Sequence, residues 1–242
     1  MKKLLLFPSA ICHLTFYMFS ICLLPSLWEG PGMGCSAQNL NITLSDTRTY
    51  SGQSLSNIDG YKDPVDGKEY ALVGAQNGLS IVDVTNPANV FQVTQITGPS
   101  CIWREIKTIG NYAYITAECG TIGLQIVDLS PLPSASLPTA TWTPTINSQQ
   151  LQTIHALHAD GGKVYLYGSN VGNGGCIIAD VTGNPMAPVY LGSYDTRYVH
   201  DGYVRNDTLY AGHIYDGECA IVKLTNPASP QVLDIFTTPT LF

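Results

Sequence analysis

The chain has 242 residues, 45% hydrophobic and 12% charged, with 18 acidic against 11 basic side chains and a net charge of −7. No basic cluster interrupts that acidic balance, which excludes nucleic acid and anionic membrane surfaces as partners. With 23 Gly, 15 Pro and 14 Tyr, the composition is that of one turn-rich all-β domain with a sizeable core.

Residues 1–37 read apart from the rest. "MKK" is a cationic head, "LLLF" through "ICLLPSLW" is apolar, and "CSA" sets small residues before a cleavage point at Gln38. This is a secretory signal pattern. Pro8 and His13 interrupt the apolar stretch, against a transmembrane anchor. Gly32 stands where a lipoprotein signal wants Leu. The expectation is a signal peptide over 1–37, a lead-in segment or strand over 38–52, and an exported product with no transmembrane span after cleavage.

From there one phrase recurs. "SIVDVTNPANV" (80–90) returns as "QIVDLSPLPSASL", "IIADVTGNPMAPV" and "AIVKLTNPASPQV". Asp83, Asp128 and Asp180 hold one place in three copies, and Lys223 holds it in the fourth, at spacings of 45, 52 and 43 residues. Short apolar runs surround each copy. "LSNIDGY", "IWREIKT", "QTIHALHA" and "YVHDGYV" come first. "EYALVG", "YAYITA", "KVYLYG" and "TLYAGH" follow, and "VFQVTQI", "TATWTPT", "PVYLGSY" and "QVLDIFT" come after the phrase. Turn signals such as Gly110-Asn111, Asn206-Asp207 and Asn86-Pro87 separate them. No segment keeps helical spacing. Four strands per copy at this period predict β-propeller blades, at about 53–97, 98–146, 147–194 and 195–242. Ile81, Val82, Ile126, Val127 and Ile178 should alternate into the layers between blades.

The repeated "IVDVTNP" resembles the LVIVD repeat. The ordered set "DGKEYALVG", "GLSIVDVTNP", "WREIK", "GSN", "ADVT" and "HDG" resembles the choice-of-anchor B family of secreted bacterial surface proteins. The resemblance covers roughly residues 53–242. It implies a propeller-like extracellular fold and surface display, and no reaction. Two departures stand out. Lys223 replaces the repeat's Asp, and Ala follows His155 where the family tends to carry Asn.

Superimposing the first strands of blades two to four aligns Arg104, His155 and His200, with Glu105 and Asp201 one place later. Asn57 and Asp59 fall in the corresponding region of blade one. Polar residues at the start of an innermost strand point to the axial mouth. Such a ring suits an anion, a sugar or a divalent metal, with His155, His200 and Asp201 as metal candidates. A merely solvated channel lining is the plainer reading. No nucleophile elbow, zinc-protease helix or phosphate loop is present. "GSNVGNGG" (168–175) reads as a hairpin, and "DPVDGKE" (63–69) as a turn. His158 and His213 lie off the ring, and His213, Asp216 and Glu218 read as a solvent-facing loop group. Trp103 and Trp142 read as packing between blades, although an exposed Trp near the mouth would stack on a sugar.

Cys12 and Cys22 leave with the leader, as does Cys35 if cleavage follows Ala37. Cys101 and Cys119 lie symmetrically about the Gly110-Asn111 turn and should bridge. Cys176 and Cys219 occupy equivalent points of two blades and read as buried free thiols. Two functions fit. The first is a secreted or surface-displayed binding or structural module, its partner an unknown protein or glycan, without a cofactor. The second is an extracellular or periplasmic hydrolase or oxidoreductase with a polar or metal site at the channel mouth. Four repeats ending at Phe242 lead us to expect an open arc, the N-terminal fragment of a longer propeller, with an exposed face on the fourth blade. The segment 38–52 is expected to reach, at most, the last blade.

Overall fold

The computed structural model describes residues 43–237. The expected signal peptide, its cleavage point and Cys12, Cys22 and Cys35 lie outside the described residues, as do residues 238–242. The described residues contain strands and no helix.

The first blade comprises β1 (Leu55–Lys62), β2 (Glu69–Ala75), β3 (Gly78–Asp83) and β4 (Phe91–Thr97). The second comprises β5 (Ile106–Ile109), β6 (Tyr112–Ile115), β7 (Leu124–Asp128) and β8 (Thr139–Trp142). A small hairpin, β9 (Thr145–Ile146) with β10 (Gln149–Gln150), precedes the third blade. That blade is β11 (Ala156–Asp160), β12 (Lys163–Tyr167), β13 (Cys176–Asp180) and β14 (Val189–Tyr194). The fourth is β15 (Asp201–Arg205), β16 (Thr208–His213), β17 (Glu218–Lys223) and β18 (Gln231–Thr237). Each blade is an antiparallel meander in chain order.

The recurring phrase has a local physical meaning. It ends the third strand of the first three blades in an Asp-capped turn. Asp83 Oδ1 accepts the Thr85 amide at 2.9 Å, Asp128 Oδ1 the Ser130 amide at 2.9 Å, and Asp180 Oδ1 the Thr182 amide at 2.6 Å. The Asn of Asn-Pro then closes a second turn. Asn86, Asn184 and Asn226 accept the amides of Ala88, Met186 and Ala228 at 3.1, 3.1 and 3.2 Å. Lys223 cannot act as this acceptor.

The fourth strand begins with a bulge in blades one, three and four. Its register shifts between Ile81 and Val82, Ile178 and Ala179, and Ile221 and Val222. An extra residue on the outer strand sharpens its twist. Gly192 stands at one bulge because a Cβ there would lie 1.9 Å from the Pro227 carbonyl oxygen of the next blade's turn.

Three apolar layers lie between four blades, because strand side chains alternate between faces. Leu72, Leu79 and Ile81 meet Ile106, Ile115 and Val127. Tyr114, Leu124 and Ile126 meet Leu157, Leu166 and Ile177. Tyr165, Tyr167 and Ile178 meet Val204, Leu209 and Val222. Val82 turns the other way, with Ser80, onto the outer face of blade one.

That outer face is strapped by the lead-in segment. The Tyr50 and Ser80 hydroxyls bond at 2.9 Å, Arg48 donates to Gln92 at 2.9 Å, and Asp46 accepts the Val90 amide at 2.8 Å. Ser80 and Val82 are buried beneath it. The expected strand over 38–52 is absent from residues 43–52, which form no ladder. These residues serve the first blade and not the last.

The inner strands neighbour one another in the order β1, β5, β11 and β15, and no comparable packing joins β15 back to β1. The array is an open propeller-like arc. The outer face of blade four shows Tyr210 at 49% exposure. No helix among the described residues is long and apolar enough to cross a membrane.

Candidate functional site

The inner-strand starts bring polar residues of three blades together. His155 and His200 stand one residue before β11 and β15. Their amides bond to the carbonyls of Tyr167 and Gly212 at 3.0 and 2.9 Å. Each is thereby held as an extension of its blade, facing the other. Their Nε2 atoms are 3.3 Å apart, and the rings stack with centroids 4.1 Å apart, tilted by 35°.

The other nitrogen of His155, Nδ1, meets the Glu118 carboxylate. Glu118 follows β6 and is placed by two bonds. Its amide donates to the Trp103 carbonyl at 3.4 Å, and the adjacent Cys119 is bridged to Cys101, with Cα atoms 5.5 Å apart. Gly168 lets the cluster close. Its φ is 62°, and a Cβ there would lie 2.7 Å from the His155 Cβ and 2.8 Å from the Tyr198 hydroxyl. Beyond His200 the contacts continue through Tyr198 to Tyr215, whose rings are 4.8 Å apart. Tyr215 is 80% exposed, and Trp103 at the other end is 58% exposed. Burial, and then the neighbouring His155 ring, hold His200 below the ordinary imidazole pKa, against the pull of Asp201 and Glu118.

Of two hollows, only the smaller is lined by a residue of the cluster, His200. A groove of about 450 Å³ runs across the inner strands, lined by Glu105, Lys107, His158, Asp201 and Tyr203. A smaller cleft of about 250 Å³ on the fourth blade is lined by His200, Asp201, His213, Ile214 and Glu218.

The aligned residues therefore separate. His155 and His200 meet. Glu105 and Asp201 share the groove, where Glu105 also accepts the Leu157 amide at 2.9 Å and pairs with Lys107 at 3.0 Å. Arg104 does not join them. It is 2% exposed and donates to the Ala75 and Pro99 carbonyls at 3.3 and 2.6 Å, so it clamps the loop after β4. Asn57 and Asp59 also serve the scaffold, accepting from the Ile106 amide and the Thr108 hydroxyl. Among the described residues no three His, Cys, Asp or Glu side chains are placed to hold a metal together. Asp201, whose Oδ1 accepts the Gly202 amide at 2.7 Å, does not complete a set with the two histidines.

Other expectations are corrected. Trp103 is exposed rather than packed between blades. His213 is fully buried against Tyr194, while Arg197 bridges Asp216 and Glu218 at 3.2 and 2.6 Å. Cys176 is buried, but Cys219 is only half-buried because it lies on the open face of blade four. The glycine-bearing hairpin cradles a carboxylate of the chain itself. Asp195 accepts the Asn173 and Gly175 amides at 3.0 and 3.1 Å. Glu118, Tyr198 and Tyr215 were missed. The one sequence signal for Glu118 was its place beside a bridged cysteine.

The LVIVD repeat model matches residues 65–96 and 103–139, within the first two blades. The chain carries LVIVD repeats. No curated protein matches the chain. Among solved structures, a crystal structure of a putative 6-phosphogluconolactonase from Bacteroides fragilis is similar, with a TM-score of 0.53 and 15% identity over 77% of this chain. The match spans 55% of that structure's length. The likeness is one of fold.

Proposed function

We propose that this repeat protein is an exported, surface-displayed binding module that holds a hydroxyl-rich ligand, a glycan, at the mouth formed by blades two to four. One observation carries the reading: Glu118, His155 and His200 converge there from three successive blades. Carboxylates accept from sugar hydroxyls, and imidazoles both accept and donate. The exposed ring of Tyr215 ends the chain of ring contacts, and Trp103, whose carbonyl holds the Glu118 amide, is exposed as well; both are rings on which a pyranose stacks. Lys107 and Arg197 are each tied to carboxylates, which disfavours an anionic ligand. A glycan array probed with the wild-type chain, His155→Ala, His200→Ala and Trp103→Ala tests this. Binding that falls at least about tenfold in each variant supports it. An array on which the wild type binds nothing, or the variants bind unchanged, ends it.

A hydrolase is the second reading. A carboxylate behind His155 makes its Nε2 a candidate general base for activating water. The fold neighbour is a putative 6-phosphogluconolactonase, although fold alone does not carry a reaction. Hydrolysis of gluconolactone above the buffer rate, lost in His155→Ala, favours this reading over simple binding.

A further inference from the structure

His155 is held from behind. A carboxylate only accepts hydrogen bonds, so Glu118 keeps the proton on Nδ1 and leaves the lone pair on Nε2. A carboxylate behind an imidazole is the arrangement that orients metal-bound histidines and raises their basicity. Two nitrogens bound at about 2.0–2.1 Å to a tetrahedral ion lie about 3.3 Å from each other. The Nε2 atoms of His155 and His200 stand at 3.3 Å.

We infer that His155 Nε2 and His200 Nε2 form a two-nitrogen site for a divalent transition-metal ion of the zinc type, with Glu118 as its positioning residue. The stacked rings require one adjustment: His200 turns about its Cβ–Cγ bond so that its lone pair meets that of His155. Among the described residues its Nε2 bonds only to His155, so the turn breaks no other bond of that atom. Imidazole nitrogen suits zinc, copper, nickel or cobalt rather than calcium or magnesium. The surroundings favour a cation. Glu118 and Asp201 flank the pair, and no ion pair brings a Lys or Arg onto either ring among the described residues. The His155 and Glu118 side chains are 19% and 33% exposed, so an ion can reach them. Two protein ligands leave the remaining positions to water or to a bound hydroxyl, unlike the closed four-ligand sets of structural zinc. The inference deepens the binding reading, and rests on it for the claim that a sugar hydroxyl fills an open position.

Cobalt(II), and then zinc(II) in competition, are titrated into the full chain without any glycan, followed by visible d–d absorption and thermal midpoint. One equivalent of cobalt is expected to bind and to be displaced by zinc. His155→Ala and His200→Gln should each abolish binding. Glu118→Gln should weaken it about ten- to a hundredfold, with Glu118→Asp partly restoring it. Far-UV circular dichroism and midpoint in the absence of metal keep folding separate from binding. No cobalt or zinc binding by the folded wild type at millimolar metal overturns the inference, as does unchanged binding in His200→Gln. Glycan binding that persists in a chelator would then leave the binding reading standing alone. Stoichiometric metal without glycan binding would do the reverse.

Discussion

At Asp128 a single carboxylate oxygen accepts both the Ser130 amide, at 2.9 Å, and its hydroxyl, at 2.6 Å. Charge-assisted bonds of this kind are worth more than neutral ones. Asp128→Ala should therefore cost about 1.5–3 kcal/mol in a denaturant titration. Lys223→Asp, followed by Leu224 and Thr225 as its counterparts are followed by Val or Leu and then Thr or Ser, should install the missing acceptor and raise the midpoint. An unchanged or lower midpoint would mean that the fourth copy needs no such turn. The histidines act in another pH window. Burial, then the His155 ring, hold His200 below its ordinary 6.5, while burial and then Arg197 do the same to His213. The unfolded chain takes up those protons first as pH falls. Their contribution is thus complete above about 6.5 and is lost as pH drops through the lower folded values. Asp180, held below its ordinary 3.8 chiefly by Thr182, acts only in stronger acid. Thermal midpoints should decline from pH 7.5 to 5, less steeply in His213→Gln. A flat profile would contradict this.

The segment that closes the second blade's first hairpin shows how an element carries the site. The Cys101–Cys119 bridge spans 18 residues and ends beside Glu118. Cross-links of this size contribute about 3 kcal/mol in the loop-entropy model. Cys101→Ser with Cys119→Ser should lower stability by about that amount, and it should also weaken any ligand or metal that depends on Glu118. Loss of stability with the site intact would show that Trp103 and β6 alone place Glu118. This element also marks what could be read from residue order. The bridge was legible because both cysteines are equidistant from a turn, and the meanders were legible because local signals separate the strands: left-handed residues such as Gly110, Asn206 and Asp207, and the Asp- and Asn-capped turns after the third strands. The meeting of His155 and His200 followed from aligning each on the next strand. Arg104 was misread because its direction is set by the Pro99 carbonyl of the connecting loop and the Ala75 carbonyl of the first blade. Trp103 was misread for the same kind of reason: alternation gives a face only inside a strand, and β5 begins at Ile106.

Across the whole molecule, packing passes from blade to blade, as in other repeat arrays. Blades two and three are covered by blades on both faces. Blade one has blade two on one side and the strap of Asp46, Arg48 and Tyr50 on the other. Among the described residues, blade four has a packed layer on one side only, and every residue of β18 is exposed. Val232, Leu233, Ile235 and Phe236 are 45%, 57%, 41% and 49% exposed. Burying one such side chain contributes about 1.5–3 kcal/mol, a contribution the fourth blade forgoes repeatedly. Local opening should follow that difference, since protection tracks buried contacts. In hydrogen exchange, the amides of β7 and β13 should be the slowest. Those of β17 and β18 should exchange at least about tenfold faster, a gap of about 1.4 kcal/mol in opening free energy. Truncating the strap by removing residues 43–50 should extend fast exchange to β3 and β4, leaving β13 unchanged, because the strap touches only the first blade. Equal protection in all four blades would show that the arc unfolds as one unit, its stability shared beyond nearest neighbours.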